Sequence, residues 1–276
     1  MNLQKKQKSF YTLVKKKYLE NVKISELNFI NYLSISNKLS YNFLLYKKNR
    51  YNFLFFLISY FKSLFSVFLY NNYFVYKNKI NKFNFDKIII TWGVKENFNK
   101  SGHFLDKYSG LRSFNEKNIL WIVQYNQKDL PSKIAENIII FKKGKKKNIM
   151  SILLKIFKES NSITDFFQSL SFNSFYAVDF YYKISREINN IFFSSISMPY
   201  EGQPFQKLFI KKFKKRKIKI EGLLHTFSQP IPFNIFYSKR NSPDFLIVNS
   251  LSQKNCLVKF MNWNKESILI KKSKRY

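Results

Sequence analysis

The pattern that most constrains the fold is a unit of strand, polar loop and helix that recurs three times after residue 190. Its strands are short apolar runs, predicted at residues 191–198, 217–224 and 244–248, with a further strand at 267–270. Because consecutive parallel strands need a crossover between them, this alternation predicts an α/β fold. The expected architecture is a Rossmann-like parallel sheet with helices on both faces.

The chain before this repeat divides into two parts. Residues 1–80 are rich in lysine and are predicted to be a helical, basic N-terminal region. From residue 81 onward, strands are predicted at 86–92, 119–125 and 137–141, and helices at 149–159 and 177–190. A polar loop at 93–118 follows the first of these strands. We therefore predict one Rossmann-like domain that spans residues 81–276.

The formal net charge of +33 has three competing explanations. The abundant Lys, Asn, Ile, Phe and Tyr all have codons rich in A and T, so drift in an AT-rich genome can produce this composition. A surface for an anionic lipid or a phosphorylated substrate is the second explanation, and nucleic-acid binding is the third. Only six of the 49 basic residues are arginine, the side chain that reads bases and phosphates in a bidentate manner, which disfavours nucleic acid.

An apolar stretch at residues 51–70 is the one candidate membrane span. It is long enough to cross a bilayer, but Lys62 lies near its centre and basic residues flank both of its ends. A helix packed within the protein, a helix lying on an anionic leaflet and a true span all remain open. We expect a cytoplasmic protein, with peripheral association at the inner face of the cytoplasmic membrane as an open extension.

Several common chemistries are excluded by what the sequence lacks. Cys256 is the only cysteine, and His103 and His225 are the only histidines, so neither a disulfide nor a structural zinc site is expected. The chain has no G-x-G-x-x-G, P-loop or G-x-S-x-G motif, which argues against the common dinucleotide, kinase and hydrolase chemistries. No catalytic metal is predicted.

Polar residues follow the predicted strands at the edge where open parallel sheets bind ligands. They are Tyr200, Glu201, Gln203, His225, Ser228 and Asn249. Glu201 at a predicted helix start suits hydrogen bonding to hydroxyl groups or proton abstraction, although it would also favour the helix dipole without any function. His225 is either a general base or a structural histidine. His103 and Asp106, in the loop at 93–118, suit substrate contact or a solvated loop equally well.

From residue 85 to 276, the chain resembles bacterial surface-polysaccharide glycosyltransferases of the GT-B type, the class built from two Rossmann-like domains. The segments that carry the resemblance are Ile-Thr-Trp-Gly at 90–93, Ser-Gly-His-Phe-Leu-Asp-Lys-Tyr at 101–108, Leu-Trp at 120–121, Pro-Tyr-Glu-Gly-Gln-Pro-Phe-Gln at 199–206, His225 with Pro230 and Pro232, Ser-Pro-Asp at 242–244 and Asn249. The segment at 199–206 is the most specific of them.

The resemblance implies an acceptor-side domain. In this class the N-terminal domain binds a sugar or lipid-linked acceptor, the C-terminal domain binds the nucleotide sugar, and no cofactor or metal is needed. We therefore expect a transferase whose donor-binding domain is missing or is a separate chain. His225 and Glu201 would be catalytic, and the other residues named above would bind substrate. The alternatives are a lysine-rich nucleic-acid-binding protein and a structural protein at the membrane surface.

Overall fold

The computed structural model describes residues 71–78, 83–144, 148–160, 172–201, 203–224 and 241–271, and singly residues 61, 65, 68, 80, 163, 166, 170, 235, 237 and 239. Most of the predicted helical region at 1–80 lies outside these residues. So do two of the predicted site residues, His225 and Ser228.

Within the described residues, the chain forms eight strands and four α-helices. The strands are β1 (Tyr73–Lys77), β2 (Asn84–Gly93), β3 (Ile119–Tyr125), β4 (Ile138–Lys143), β5 (Phe192–Pro199), β6 (Lys219–Leu224), β7 (Phe245–Val248) and β8 (Ile268–Ile270). The helices are α1 (Ile149–Glu159), α2 (Phe172–Glu187), α3 (Pro204–Lys215) and α4 (Leu251–Phe260). The predicted α/β fold class is confirmed.

The eight strands form one sheet in the order β1-β4-β3-β2-β5-β6-β7-β8. Every neighbouring pair is parallel except β1 and β4, which are antiparallel. If β1 is set aside, the spatial order of the parallel strands is third, second, first, fourth and onward, which is the Rossmann order. The direction of winding therefore reverses between β2 and β5, and this topological switch point is where ligands bind in such sheets.

Strand β1 differs from the helical prediction for residues 1–80. It pairs with β4 along the edge of the sheet. On its other side, the backbone N–H of Tyr73 donates to Asp179 at 3.0 Å, and Lys183 donates to the carbonyl oxygen of Tyr73 at 2.6 Å. Contacts with β4 and α2 thus override the local pattern, because both hydrogen-bonding sides of Tyr73 are satisfied in the extended state.

Two hydrophobic cores cover the two faces of the sheet. All four described helices contribute to the first core, where Ile156 of α1 and Phe209 of α3 join strand residues such as Ile88. The second core lies on the opposite face of β2, β3 and β4, around Trp121. Loop residues such as Leu111, rather than helices, cover it. The sheet is covered on both faces there, as predicted, but on the second face by loops.

The predicted apolar stretch at 51–70 is described at only three positions. The side chains of Phe61, Phe65 and Phe68 are 54%, 69% and 61% exposed. Among the described residues, no helix is both long enough and apolar enough to cross a membrane.

Candidate functional site

The candidate site lies at the carboxyl ends of β2 and β5, the two strands on either side of the switch point. Strand β2 ends at Gly93 and continues into the long loop at 94–118, which we call the β2 loop. Strand β5 ends at Pro199, and α3 begins at Pro204. The residues between them, 200–203, form what we call the β5 turn. These two connections carry five of the eight predicted site residues, His103, Asp106, Tyr200, Glu201 and Gln203.

Gln206 organises the β5 turn from the first turn of α3. Its side-chain oxygen accepts hydrogen bonds from the backbone N–H groups of Glu201, at 3.1 Å, and Gln203, at 2.8 Å. Its side-chain nitrogen donates to the carbonyl oxygen of Pro199. Because Gln206 is fully buried and bonds to three backbone groups, it fixes the path of the chain from β5 into α3.

Glu201 and Gln203 are brought together in this turn. The side-chain nitrogen of Gln203 donates to the Glu201 carboxylate at 2.9 Å, and both side chains are half-buried. The carboxylate lies just before the N-terminus of α3, where the helix dipole favours negative charge. A carboxylate held in this way can accept a hydrogen bond from a ligand hydroxyl and can take its proton.

Tyr200, by contrast, points into the first core. Its side chain is fully buried over Gly222, where an added Cβ would lie 2.8 Å from the Cβ of Tyr200. Lys207 of α3 donates to the Tyr200 hydroxyl and, at 3.0 Å, to the carbonyl oxygen of Asn241. The sequence prediction for Tyr200 was substrate binding, and in this structure its hydroxyl instead joins α3 to the segment before β7.

The buried pair of Tyr200 and Lys207 is electrostatically unusual. Burial raises the pKa of the Tyr200 hydroxyl above its ordinary value, partly opposed by a hydrogen bond with Ser242. Burial also holds the pKa of Lys207 well below its ordinary value, and the nearby charge of Lys214 lowers it further. The pair therefore favours a neutral tyrosine beside a lysine that loses its proton easily.

Asp106 is the centre of the β2 loop. Its two carboxylate oxygens accept four hydrogen bonds, from the Thr91 hydroxyl at 2.8 Å, the backbone N–H of Tyr108 and both the N–H and hydroxyl of Ser109. The side chain is fully buried. Because both oxygens are already engaged, Asp106 in this conformation ties the loop to β2.

His103 lies at the other end of the sheet from Glu201. It lines a cavity of about 520 Å³ together with Phe85, Asn118 and Asn137, which stand at the amino ends of β2, β3 and β4. Its Nδ1 atom is 3.4 Å from the Ser113 hydroxyl, and its ring meets that of Phe114 edge-on. The structure therefore places His103 at the amino edge, whereas Glu201 lies at the carboxyl edge.

Asn249 lies after β7 at the carboxyl edge, as predicted, and is half-buried. Its backbone N–H donates to the side chain of Gln253 at 2.7 Å, while Ser250 caps α4 by accepting from the N–H of Gln253 at 3.2 Å. Gln253 in the first turn of α4 thus bonds to the backbone after β7, as Gln206 in the first turn of α3 bonds to the backbone after β5. His225 and Ser228 lie outside the described residues, and their roles stay predictions.

The residues that sequence reasoning missed are Gln206, Lys207 and Gln253. A signal for the glutamines was present, because a polar residue three positions after a helix cap is the spacing of a capping box. Lys207 offered no such signal, since a lysine in a lysine-rich helix is expected to be exposed. Among the residues that the structure describes, no group of three or more His, Cys, Asp or Glu side chains is placed to hold a metal ion.

No known protein-family profile matches this chain, and no curated protein sequence matches it either.

Proposed function

We propose that this chain is the acceptor-side domain of a GT-B glycosyltransferase of surface-polysaccharide biosynthesis. It would present the hydroxyl of a sugar or lipid-linked acceptor, while a nucleotide sugar is held by a separate donor-binding domain or chain. The proposed location is the cytoplasm, with peripheral contact at the inner face of the cytoplasmic membrane. The Rossmann strand order and the resemblance of residues 85–276 both support this proposal.

The observation that carries the proposal is the position of Glu201. It lies at the carboxyl end of β5, beside the switch point, and its carboxylate is half-buried. The hydrogen bonds of Gln206 to the backbone and of Gln203 to the carboxylate restrict its orientation. A carboxylate that is both oriented and accessible suits the recognition of acceptor hydroxyls.

In the proposed mechanism, Glu201 accepts a hydrogen bond from the acceptor hydroxyl and takes its proton as the sugar is transferred. Gln203 orients the carboxylate through its donated hydrogen bond. Asn249, at the end of β7 on the same edge, would add a polar contact to the acceptor. His225 remains the competing candidate for the general base, because β6 ends at Leu224 on this edge as well.

The test is a transfer assay in which the chain is combined with candidate donor-binding chains, nucleotide sugars and lipid-linked sugars. We expect Glu201→Gln to lower transfer by roughly 100-fold or more, which is the usual contribution of a general base. Glu136→Gln is the matched control, because Glu136 is an exposed carboxylate at the amino edge of the sheet. Equal activity of Glu201→Gln and the control would reject the assigned role of Glu201.

The net charge of +33 favours nucleic-acid binding as a second candidate function. Binding of this kind releases counterions, so its affinity falls steeply between low and physiological salt. Titration of a single-stranded and a double-stranded oligonucleotide at several salt concentrations distinguishes the two candidates. A flat response to salt, or no binding, would eliminate the nucleic-acid function.

A further inference from the structure

Helix α1 is apolar on both of its faces. Ile152 and Ile156 face the first core and are almost fully buried. Met150, Leu154 and Phe157 follow one another at the i, i+4 and i+7 spacing, so they lie together on another face, where they are 67%, 64% and 58% exposed. Large apolar side chains that are grouped in this way mark an interaction surface. We call this group the α1 stripe.

The sequence segment that contains the α1 stripe is basic. Residues 142–158 contain seven lysines and no aspartate or glutamate. The one carboxylate that follows, Glu159, accepts a hydrogen bond from the Tyr182 hydroxyl at 2.7 Å. Lys158 is exposed beside the stripe. An apolar stripe within a segment that is rich in lysine and poor in acidic residues matches a surface that offers both hydrocarbon and negative charge.

Three further exposed phenylalanines precede β1 in the sequence. Phe61, Phe65 and Phe68 repeat the i, i+4 and i+7 spacing of the α1 stripe and are more than half exposed. Only four positions after Phe68, the side chain of Asn72 accepts from the backbone N–H of Asn148, the cap residue of α1, at 2.9 Å. The backbone of Phe68 therefore lies within roughly 14 Å of Asn72, which contacts the start of α1.

We propose that the α1 stripe docks the protein on an anionic lipid bilayer. The apolar side chains would enter the boundary between headgroups and acyl chains, and the lysines would contact acidic headgroups. A second copy of the chain is a poorer partner for this surface, because its own lysines would be brought against the same lysines. The bilayer satisfies the apolar stripe and the positive charge together.

Docking by α1 also orients the sheet. Because α1 follows β4 directly, its N-terminus lies at the carboxyl edge, the edge that carries Glu201. The candidate site would then lie near the headgroups. The docking proposal rests on α1 alone and does not depend on the proposed sugar transfer.

The test is flotation of the full chain with vesicles of phosphatidylcholine and phosphatidylglycerol, and with vesicles of phosphatidylcholine alone. The key variant replaces Met150, Leu154 and Phe157 with glutamine. The matched control replaces Phe192, Leu251 and Leu269 with glutamine, since these are exposed apolar residues on β5, α4 and β8. We expect the wild type to bind the anionic vesicles, the α1 variant to lose roughly tenfold or more in partitioning, and the control to bind normally.

A charge variant separates the electrostatic contribution. Lys158→Glu should weaken binding to the anionic vesicles severalfold and should leave the weak binding to neutral vesicles unchanged. Thermal unfolding of the wild type and the α1 variant measures their stability, and light scattering measures whether each is a monomer or a dimer. The Tm of the variant should not fall, because the replaced side chains are exposed.

Three results would overturn the proposal. The first is no binding of the wild type to anionic vesicles, or equal loss in the α1 variant and the control. The second is a wild-type dimer that the α1 variant converts to a monomer, which would assign the stripe to a second copy. The third is a Tm that falls by several degrees in the α1 variant, which would assign the stripe to another segment of this chain.

Discussion

The β2 loop and the β5 turn flank the same switch point but are built on different principles. The β2 loop is organised by a buried charge, since Asp106 receives four hydrogen bonds. The β5 turn is organised by a neutral amide, since Gln206 both accepts and donates. In the first case both oxygens of the acidic side chain accept hydrogen bonds from the protein itself. In the second case the Gln206 amide bonds to the backbone of the turn, and the acidic residue Glu201 stays partly exposed.

This difference distinguishes a structural acidic residue, Asp106, from one that is available to a ligand, Glu201. From the sequence, Glu201 is predicted to be catalytic and Asp106 to bind substrate, so both are expected to face a ligand. Only the glutamate keeps an accessible carboxylate, because a neighbouring residue satisfies the backbone of its turn. Substitution of Asp106 should therefore lower mainly the stability of the protein, whereas substitution of Glu201 should lower mainly its activity.

The largest effect is expected from Asp106→Ala. It leaves the buried hydroxyl of Thr91 and the partly buried N–H and hydroxyl groups of Tyr108 and Ser109 without their acceptor, so the free energy of unfolding should fall by about 3 kcal/mol. Urea denaturation measures this change. The exposed Asp129→Ala is the control and should lie within about 0.5 kcal/mol of the wild type. A loss below about 1 kcal/mol for Asp106→Ala would show that the buried charge does not organise the loop.

A smaller loss is expected from Gln206→Ala, about 2 kcal/mol by the same measurement, because three backbone groups lose their partner in a partly hydrated turn. Gln206→Glu keeps the two accepted bonds but buries a carboxylate against the carbonyl oxygen of Pro199, so its loss should be at least as large. Gln253→Ala is the matched control at the same position of α4, where the side chain serves one N–H group. If Gln253→Ala costs as much as Gln206→Ala, the β5 turn has no special dependence on its amide.

The third effect concerns pH and the buried lysine behind the β5 turn. The pKa of Lys207 is lowered well below 10.5 in the folded protein. At pH values between this lowered pKa and 10.5, Lys207 is protonated in the unfolded chain and deprotonated in the folded one. Stability should therefore rise with pH across this window, with a slope of up to about 1.4 kcal/mol per pH unit from this one group. Lys207→Met should remove that part of the slope.

Unfolding measured from pH ~7 to ~9.5 checks this expectation. Tyr200, whose pKa is raised in the folded protein, contributes only near the upper end of this range, where the unfolded tyrosine begins to ionise, and it is present in both the wild type and Lys207→Met. The exposed Lys133→Met controls for the loss of one positive charge. Parallel pH profiles of the wild type and Lys207→Met would contradict the prediction.

The smallest effect on stability is expected from Glu201→Gln, within about 0.5 kcal/mol, because the side chain is half-exposed and glutamine preserves its size. The same variant should show the largest loss of transfer under the proposed function. Thermal unfolding run alongside the transfer assay provides both values. A large loss of stability would place Glu201 with Asp106, among the residues that build the fold.

Most of the sheet could be predicted because its strands are nearly continuous apolar runs. Strand β3 and helix α1 coincide with their predicted ranges, and β2, β4 and β5 to β8 lie within two residues of theirs. Helix α2 begins five residues before its predicted start at 177. Strand β1 could not be predicted, because its extended state depends on β4 and on Asp179, which lie far away in the sequence.

The site was less accessible to sequence reasoning than the fold. Strand ends located Glu201, Gln203 and Asn249 at the carboxyl edge, since parallel strands bring such ends together. The burial of Tyr200 and the position of His103 at the amino edge depend on how loops and side chains pack. No local pattern encodes those contacts.

The central position of β2 has a consequence for how the chain is made. Strand β2 can pair with β3 soon after both are synthesised, but its other edge stays unpaired until β5 is made. The paired residues Asn84 and Phe192 are 108 positions apart. At roughly 5–20 residues per second, a ribosome needs roughly 5–20 s to supply the missing strand. During that interval the open edge of β2 can recruit strands from other chains. Expression yield should therefore depend on translation speed and on chaperones that cover this edge.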